Sequence, residues 1–136
     1  MPSKRDDNSA FERDVLAGLS MTPKRLSSRY FYDDEGSRLF QEIMTLPEYY
    51  LTNCETEIFT EQTDAIIDGF LAGGTNIDIV ELGAGDGSKT AILLKGLLAR
   101  DAAVRYSPID ISEKAIDELV RNFRNAFPHL VIEPHI

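Results

Sequence analysis

Cysteine is almost absent from this chain of 136 residues. The one thiol, Cys54, excludes an internal disulfide, and together with two histidines it leaves too few of the usual ligands for a structural zinc site. Long apolar runs are missing as well: none approaches the ~20 residues that a membrane-spanning helix takes. The start, Met1 to Asn8, has no apolar stretch behind its basic residues, so it does not read as a secretory signal. Residues 1–8 read instead as a short disordered leader. Positive charge is also scarce. Fourteen basic residues face twenty-three acidic ones, and the net charge of -9 would repel a phosphate backbone. Lys24, Arg25 and Arg29 lie close together, but acidic residues follow at once and no basic patch forms. Neither nucleic acid nor a membrane is therefore an expected partner, and the expected compartment is the cytoplasm. Repeats and low-complexity segments are lacking too.

What is present suits a folded domain. Hydrophobic residues make up 43% and charged residues 27%, the balance of an ordinary globular protein. The first half of the chain reads as helix. Ser9-Ala10-Phe11-Glu12 has the form of a capping box and predicts a short helix ending near Gly18. After a polar turn holding Pro23 comes the aromatic run Arg29-Tyr30-Phe31-Tyr32, then the turn-prone Asp33-Asp34-Glu35-Gly36. Leu39, Phe40, Ile43, Met44 and Leu46 keep helical spacing until Pro47. Thr52-Asn53-Cys54-Glu55 is a second capping box, predicting one helix that closes at Gly73-Gly74.

At residue 77 the pattern changes. Ile77 to Leu82 is short and β-branched, and it predicts a strand. Ser88 to Arg100 predicts a helix with Ile92, Leu93, Leu94, Leu97 and Leu98 inward. Val104 to Ile109 predicts a second strand. Ser112 is placed to cap a helix bearing the stripe Ile116, Leu119, Val120, Phe123 and Phe127. Pro128 ends that helix, and Leu130-Val131-Ile132 begins a third strand. Strand-helix-strand-helix-strand with short links implies an α/β fold with a parallel sheet and right-handed crossovers. The expected division is a helical section over 9–75 and the first half of an α/β domain over 76–136. Three parallel strands leave apolar edges open, so the expectation is a truncated chain that self-associates through the open sheet.

The chemistry resides in Glu81-Leu82-Gly83-Ala84-Gly85-Asp86-Gly87-Ser88-Lys89, a glycine-rich turn between a strand and a helix. Gly83 and Gly85 allow the backbone to turn tightly and approach a ligand closely. The following helix aims its free N–H groups and positive dipole end at the same crevice. Two ligand classes fit. A dinucleotide fingerprint, G-x-G-x-x-G/A, would put its third small residue at Ser88. The alternation of glycine at every second position behind Glu81 instead has the form of the first motif of class I methyltransferases, whose ligand is a sulfonium with an amino-acid tail. Asp110, 25 positions after Gly85 at the end of the second strand, suits the two hydroxyls of a ribose. It does not separate the two cofactors, since both carry one; the lesser reading is that it merely starts a turn before Ser112.

Beyond the glycine loop the likeness becomes specific. Thr22-Pro23-Lys24, Tyr30-Phe31-Tyr32-Asp33 with Gly36-Ser37 and Leu39-Phe40, and Leu46-Pro47-Glu48-Tyr49-Tyr50 resemble the histidine-specific methyltransferase family. Val80-Glu81-Leu82-Gly83-Ala84-Gly85, Lys89-Thr90 and Pro108-Ile109-Asp110-Ile111-Ser112 continue the resemblance in the same order. Members of that family trimethylate the α-amino group of L-histidine on the way to ergothioneine. The resemblance implies a class I, Rossmann-like methyltransferase fold and S-adenosylmethionine as cofactor. It implies that Gly83, Lys89 and Asp110 contact that cofactor, with Ala84 and Gly85 in the same loop. Lys89 would meet the cofactor's carboxylate; read from the residues alone, it is also an ordinary solvated helix lysine. Tyr49 matches a contact to the amino-acid substrate and Tyr32 a residue lining the same pocket, although either also reads as a packed aromatic.

The implied activity is transfer of a methyl group to the amine of a small histidine-like amino acid. No catalytic nucleophile is expected on the protein, and neither His129 nor His135 is placed for one. The family's chain is more than twice this length. Its adenine-holding pair and most of its histidine-binding residues lie beyond the counterpart of Ile136. A second reading is therefore a cofactor-binding or interaction module without turnover. A Rossmann oxidoreductase comes third, disfavoured by Ser88 and the aromatic N-terminal motifs.

Overall fold

A computed structural model describes the backbone from Lys4 to Ile136 and the side chains from Ser9 onward. Met1 to Ser3 of the expected leader lie outside the described residues. The chain forms two compact units, 1–32 and 33–136.

In the first unit, helix α1 (Lys4–Ser20) starts ahead of Ser9, whose hydroxyl accepts from the Arg13 guanidinium at 3.3 Å. Gly18 does not stop the helix. Its missing side chain lets the Arg25 carbonyl approach where a Cβ would lie only 2.0 Å away, and its own carbonyl accepts from Met21 and Arg25. The aromatic run forms a 3-10 turn over Ser28–Phe31. Tyr30 is anchored back on α1 by an edge-on contact with Phe11 (4.8 Å) and a hydroxyl donated to Asp14 at 2.6 Å.

The second unit opens with α2 (Asp34–Met44). Asp33 caps it by accepting from the Gly36 amide at 2.7 Å, so the expected acidic turn is the helix start. Helix α3 (Leu51–Glu61) begins one residue before Thr52 with no side-chain cap, and the second capping box does not form. The single helix expected there is two, parted at Gln62 and followed by α4 (Thr63–Leu71). At the break the Thr63 hydroxyl donates back to the carbonyls of Phe59 and Thr60.

The α/β pattern follows the sequence closely. Strands β1 (Asn76–Leu82), β2 (Ala103–Ile109) and β3 (Val131–Ile132) form one parallel sheet in the order β1-β2-β3. Helices α5 (Thr90–Ala99) and α6 (Glu113–Ala126) make the crossovers. Register pairs Leu82 with Ile109, which brings the carboxyl ends of β1 and β2 side by side. Both crossover helices pack on the face presented by Val104, Tyr106 and Pro108. Leu94 and Leu97 of α5 and Leu119 and Phe123 of α6 bury against it, and Ile67 joins them from α4. On the opposite face Val80 and Val131 stay exposed, and Arg105 holds Asp78 through a two-pronged pair at 2.9 and 3.0 Å. Among the described residues no helix is long and apolar enough to cross a membrane.

Candidate functional site

The end of β1 turns into α5 through three glycines in the left-handed region, Gly83 (φ 67°), Gly85 (φ 55°) and Gly87 (φ 68°). Other residues adopt that region only with strain, which is why the sequence alternates glycine here. The three face different surroundings. A Cβ on Gly83 or Gly85 would meet nothing within 4 Å, whereas one on Gly87 would lie 2.7 Å from Phe123 Cζ and 3.0 Å from Leu119 Cδ1. The first two keep an open cradle; the third lets the loop settle on α6. Ala84, between them, turns its methyl into the core.

Backbone hydrogen bonds fix the loop to the neighbouring strand. The amides of Gly83 and Ala84 both donate to the Ile109 carbonyl, at 2.8 and 3.2 Å. One residue on, Asp110 accepts from the Gly85 amide at Oδ2 (2.9 Å) and from the Ser112 amide at Oδ1 (3.0 Å). Its carboxylate thus bridges the β1–α5 and β2–α6 turns. A carboxylate offers about four lone pairs, so two acceptor sites remain for hydroxyls. Asp110 is itself held by its amide, which donates to the His135 carbonyl at 3.2 Å. His135 serves the site through its backbone.

Beneath the loop, Glu81 occupies an inward position of β1 in the same alternation as Ile77 and Ile79. Both its oxygens are taken, one by the Thr90 hydroxyl at 2.7 Å and the other by the Tyr106 hydroxyl. Burial, reinforced by the bond to the Glu81 carboxylate and by its charge, pushes the Tyr106 phenol well above its ordinary range. The ring stacks on Phe123 at 5.5 Å. Thr90 and Tyr106 were not singled out from the sequence. The available signal was an acid on the buried side of a strand, which needs donors, opposite a tyrosine on the buried side of the next.

Lys89 caps α5 at the far end of the loop, and its ammonium pairs with Glu55 of α3. Both line a cleft of about 450 Å³, together with Phe59, Phe70, Glu81 and Leu82. The structure therefore gathers Gly83, Gly85, Lys89 and Asp110 around one loop. The tyrosines take no part in the loop's hydrogen bonds described above. Tyr49 sits between α2 and α3 with its ring edge-on to Phe40 at 5.8 Å, and Tyr32 ends the 3-10 turn of the first unit.

A glycine cradle, a bridging aspartate with spare acceptor sites and a lysine at the helix start fit an adenosyl ligand with an amino-acid tail. Comparison with known proteins decides the family. Residues 11–136 match the histidine-specific, S-adenosylmethionine-dependent methyltransferases. The chain belongs to that family. It is 39% identical over 107 residues to a histidine N-alpha-methyltransferase of Mycobacterium tuberculosis, covering 79% of this chain and 32% of that protein. To the histidine N-alpha-methyltransferase of Mycolicibacterium smegmatis it is 41% identical over 102 residues, or 75% of this chain and 30% of the relative. An ergothioneine biosynthesis protein of Schizosaccharomyces pombe is 32% identical over 74% of this chain and 13% of its own length. The chain thus spans about a third of the two mycobacterial relatives. Among solved structures, a DszA carbon methyltransferase superposes with a TM-score of 0.50, covering 98% of this chain and 39% of that one. At 17% identity that likeness concerns the fold, and the fold is the α/β arrangement expected of a class I methyltransferase.

Proposed function

We propose that the chain forms the S-adenosylmethionine cradle of an N-methyltransferase whose acceptor is the amine of a histidine-like amino acid. One observation carries the cofactor part: the Asp110 carboxylate is tied to the Gly85 amide beside two glycines whose Cβ positions open onto free space. When bound, the sulfonium supplies a methyl group to a neutral amine attacking in line, with S-adenosylhomocysteine as the leaving group. The protein's part is placement. Asp110 presents its two remaining acceptor sites to vicinal ribose hydroxyls. The Gly83–Gly85 backbone gives the ligand close approach, and the ammonium of Lys89 offers a charge-assisted bond to a carboxylate. Glu81, bonded by the Thr90 and Tyr106 hydroxyls, fixes the end of β1. No side chain need act as nucleophile. Membership of the family supports an amino acid as acceptor, with Tyr49 assigned to it by the Leu46–Tyr50 motif and Tyr32 by the Tyr30–Asp33 motif alone.

A second reading is cofactor binding without turnover. Calorimetric titration with S-adenosylhomocysteine and, separately, NAD tests the cofactor. Binding of the former, weakened about a hundredfold in Asp110→Ala through loss of two ribose bonds and of loop order, is the expected result. Binding of NAD alone would overturn the reading. Transfer of a labelled methyl group to L-histidine separates the enzyme from the binding module.

A further inference from the structure

Lys89 and Glu55 form an ion pair and both line the cleft beside the glycine loop, and neither side chain is buried: they are 33% and 52% exposed. Glu55 comes from α3, thirty-four residues away in the chain, so the pairing is a tertiary contact. A glutamate beside a lysine that only received a ligand carboxylate would repel the incoming anion. The two charges together make sense for a ligand that carries both signs on adjacent atoms. We propose that Glu55 and Lys89 are a matched reader for a zwitterionic α-amino-acid group, Lys89 taking the carboxylate and Glu55 the ammonium.

The proposal rests on the methyltransferase reading and adds Glu55 to it as a specificity-determining residue. Before binding, the pair neutralises itself and holds the Lys89 side chain at the loop. On binding, one intramolecular pair is exchanged for two intermolecular ones with the charges alternating, so neither protein charge is left alone. Glu55 also discriminates by repulsion: a carboxylate without an ammonium meets it as a like charge, and an amine without a carboxylate meets Lys89 in the same way. Two ligands of the proposed reaction carry the required group, the tail of the cofactor and the amino-acid acceptor as it arrives, before its ammonium gives up the proton it must lose to attack.

The experiment compares wild type with Glu55→Gln by calorimetry. The ligands are S-adenosylhomocysteine, 5′-methylthioadenosine (the nucleoside without the amino-acid tail), and L-histidine added after saturation with 5′-methylthioadenosine. Glu55 is on the surface, and glutamine keeps its shape. The expected result is about tenfold weaker binding of one amino-acid ligand, with 5′-methylthioadenosine unchanged. Loss confined to S-adenosylhomocysteine assigns the reader to the cofactor's tail, and loss confined to L-histidine assigns it to the acceptor. Unchanged or tighter binding of both overturns the reader and leaves the methyltransferase reading standing. Equal weakening of 5′-methylthioadenosine also overturns it, since Glu55 would then act on the loop as a whole. Wild-type protein that binds none of the three removes both.

Discussion

Replacing Gly85 and Gly87 in turn by alanine separates the loop's two duties. Both glycines have positive φ, 55° and 68°, where an L-residue costs about 1–2 kcal/mol. Alanine recovers about 0.4–1 kcal/mol by restricting the unfolded chain, so strain alone leaves each variant destabilised by about 0–1.5 kcal/mol. At Gly85 nothing further is added, because the new methyl meets no atom within 4 Å. At Gly87 the methyl lands 2.7 Å from Phe123 and 3.0 Å from Leu119, both buried and packed. Overpacking of that kind costs about 1–3 kcal/mol more. Gly87→Ala should therefore lose about 1–4.5 kcal/mol, a fall in Tm of roughly 5–15 °C for a chain of this size. Gly85→Ala should stay within a few degrees of wild type and lose affinity for S-adenosylhomocysteine by tenfold or more, its methyl filling space the ligand needs. Thermal unfolding followed by circular dichroism gives the first quantity and calorimetry the second. Equal stability loss in the two variants, or unimpaired ligand binding by Gly85→Ala, would refute the division of labour.

Tyr106→Phe removes one of two donors to Glu81 and should cost about 1–2 kcal/mol in urea unfolding, with the hydroxyl's partner left short of a bond. The phenol also governs alkaline stability. Its folded pKa is raised, so its contribution is complete below the unfolded value near 10; above that pH the unfolded chain releases a proton that the native protein keeps. Stability should fall by up to about 1.4 kcal/mol per pH unit beyond pH 10. Urea midpoints between pH 9 and 11 should show a shallower decline in Tyr106→Phe. Ser112→Ala should cost about 1–2 kcal/mol, since the buried hydroxyl caps α6 by accepting from Ala115 at 3.2 Å. Thr52→Ala should change stability by less than about 0.5 kcal/mol, because Thr52 lies inside α3 and its capping box is not made. Thermal melts of the two variants side by side check both.

The legible part of the fold was the part with unambiguous periodicity. From Ile77 onward each strand and helix was expected at its observed place within one or two residues, because β-branched runs and the Ile116–Phe123 stripe leave little choice of face. The helical section was harder. A threonine three residues ahead of a glutamate has the same form at an N-cap and inside a helix, and Thr52 falls inside α3. The break at Gln62 has no glycine or proline beside it to mark it in the sequence. At the site, Gly83, Gly85 and Asp110 were legible because special backbone angles and a strand-end acid leave marks in the sequence. Glu55 left none that could be paired, since Lys89 stands 34 residues away on another helix.

Asp110 has a further consequence. The turns it joins belong to successive βα units, and one carboxylate holds the amides of both. Neither turn can lift away without breaking a bond to the same side chain, so the disorder of one is linked to the disorder of the other. A ribose resting on that carboxylate would quiet two stretches of backbone at once, though it touched only one residue of either.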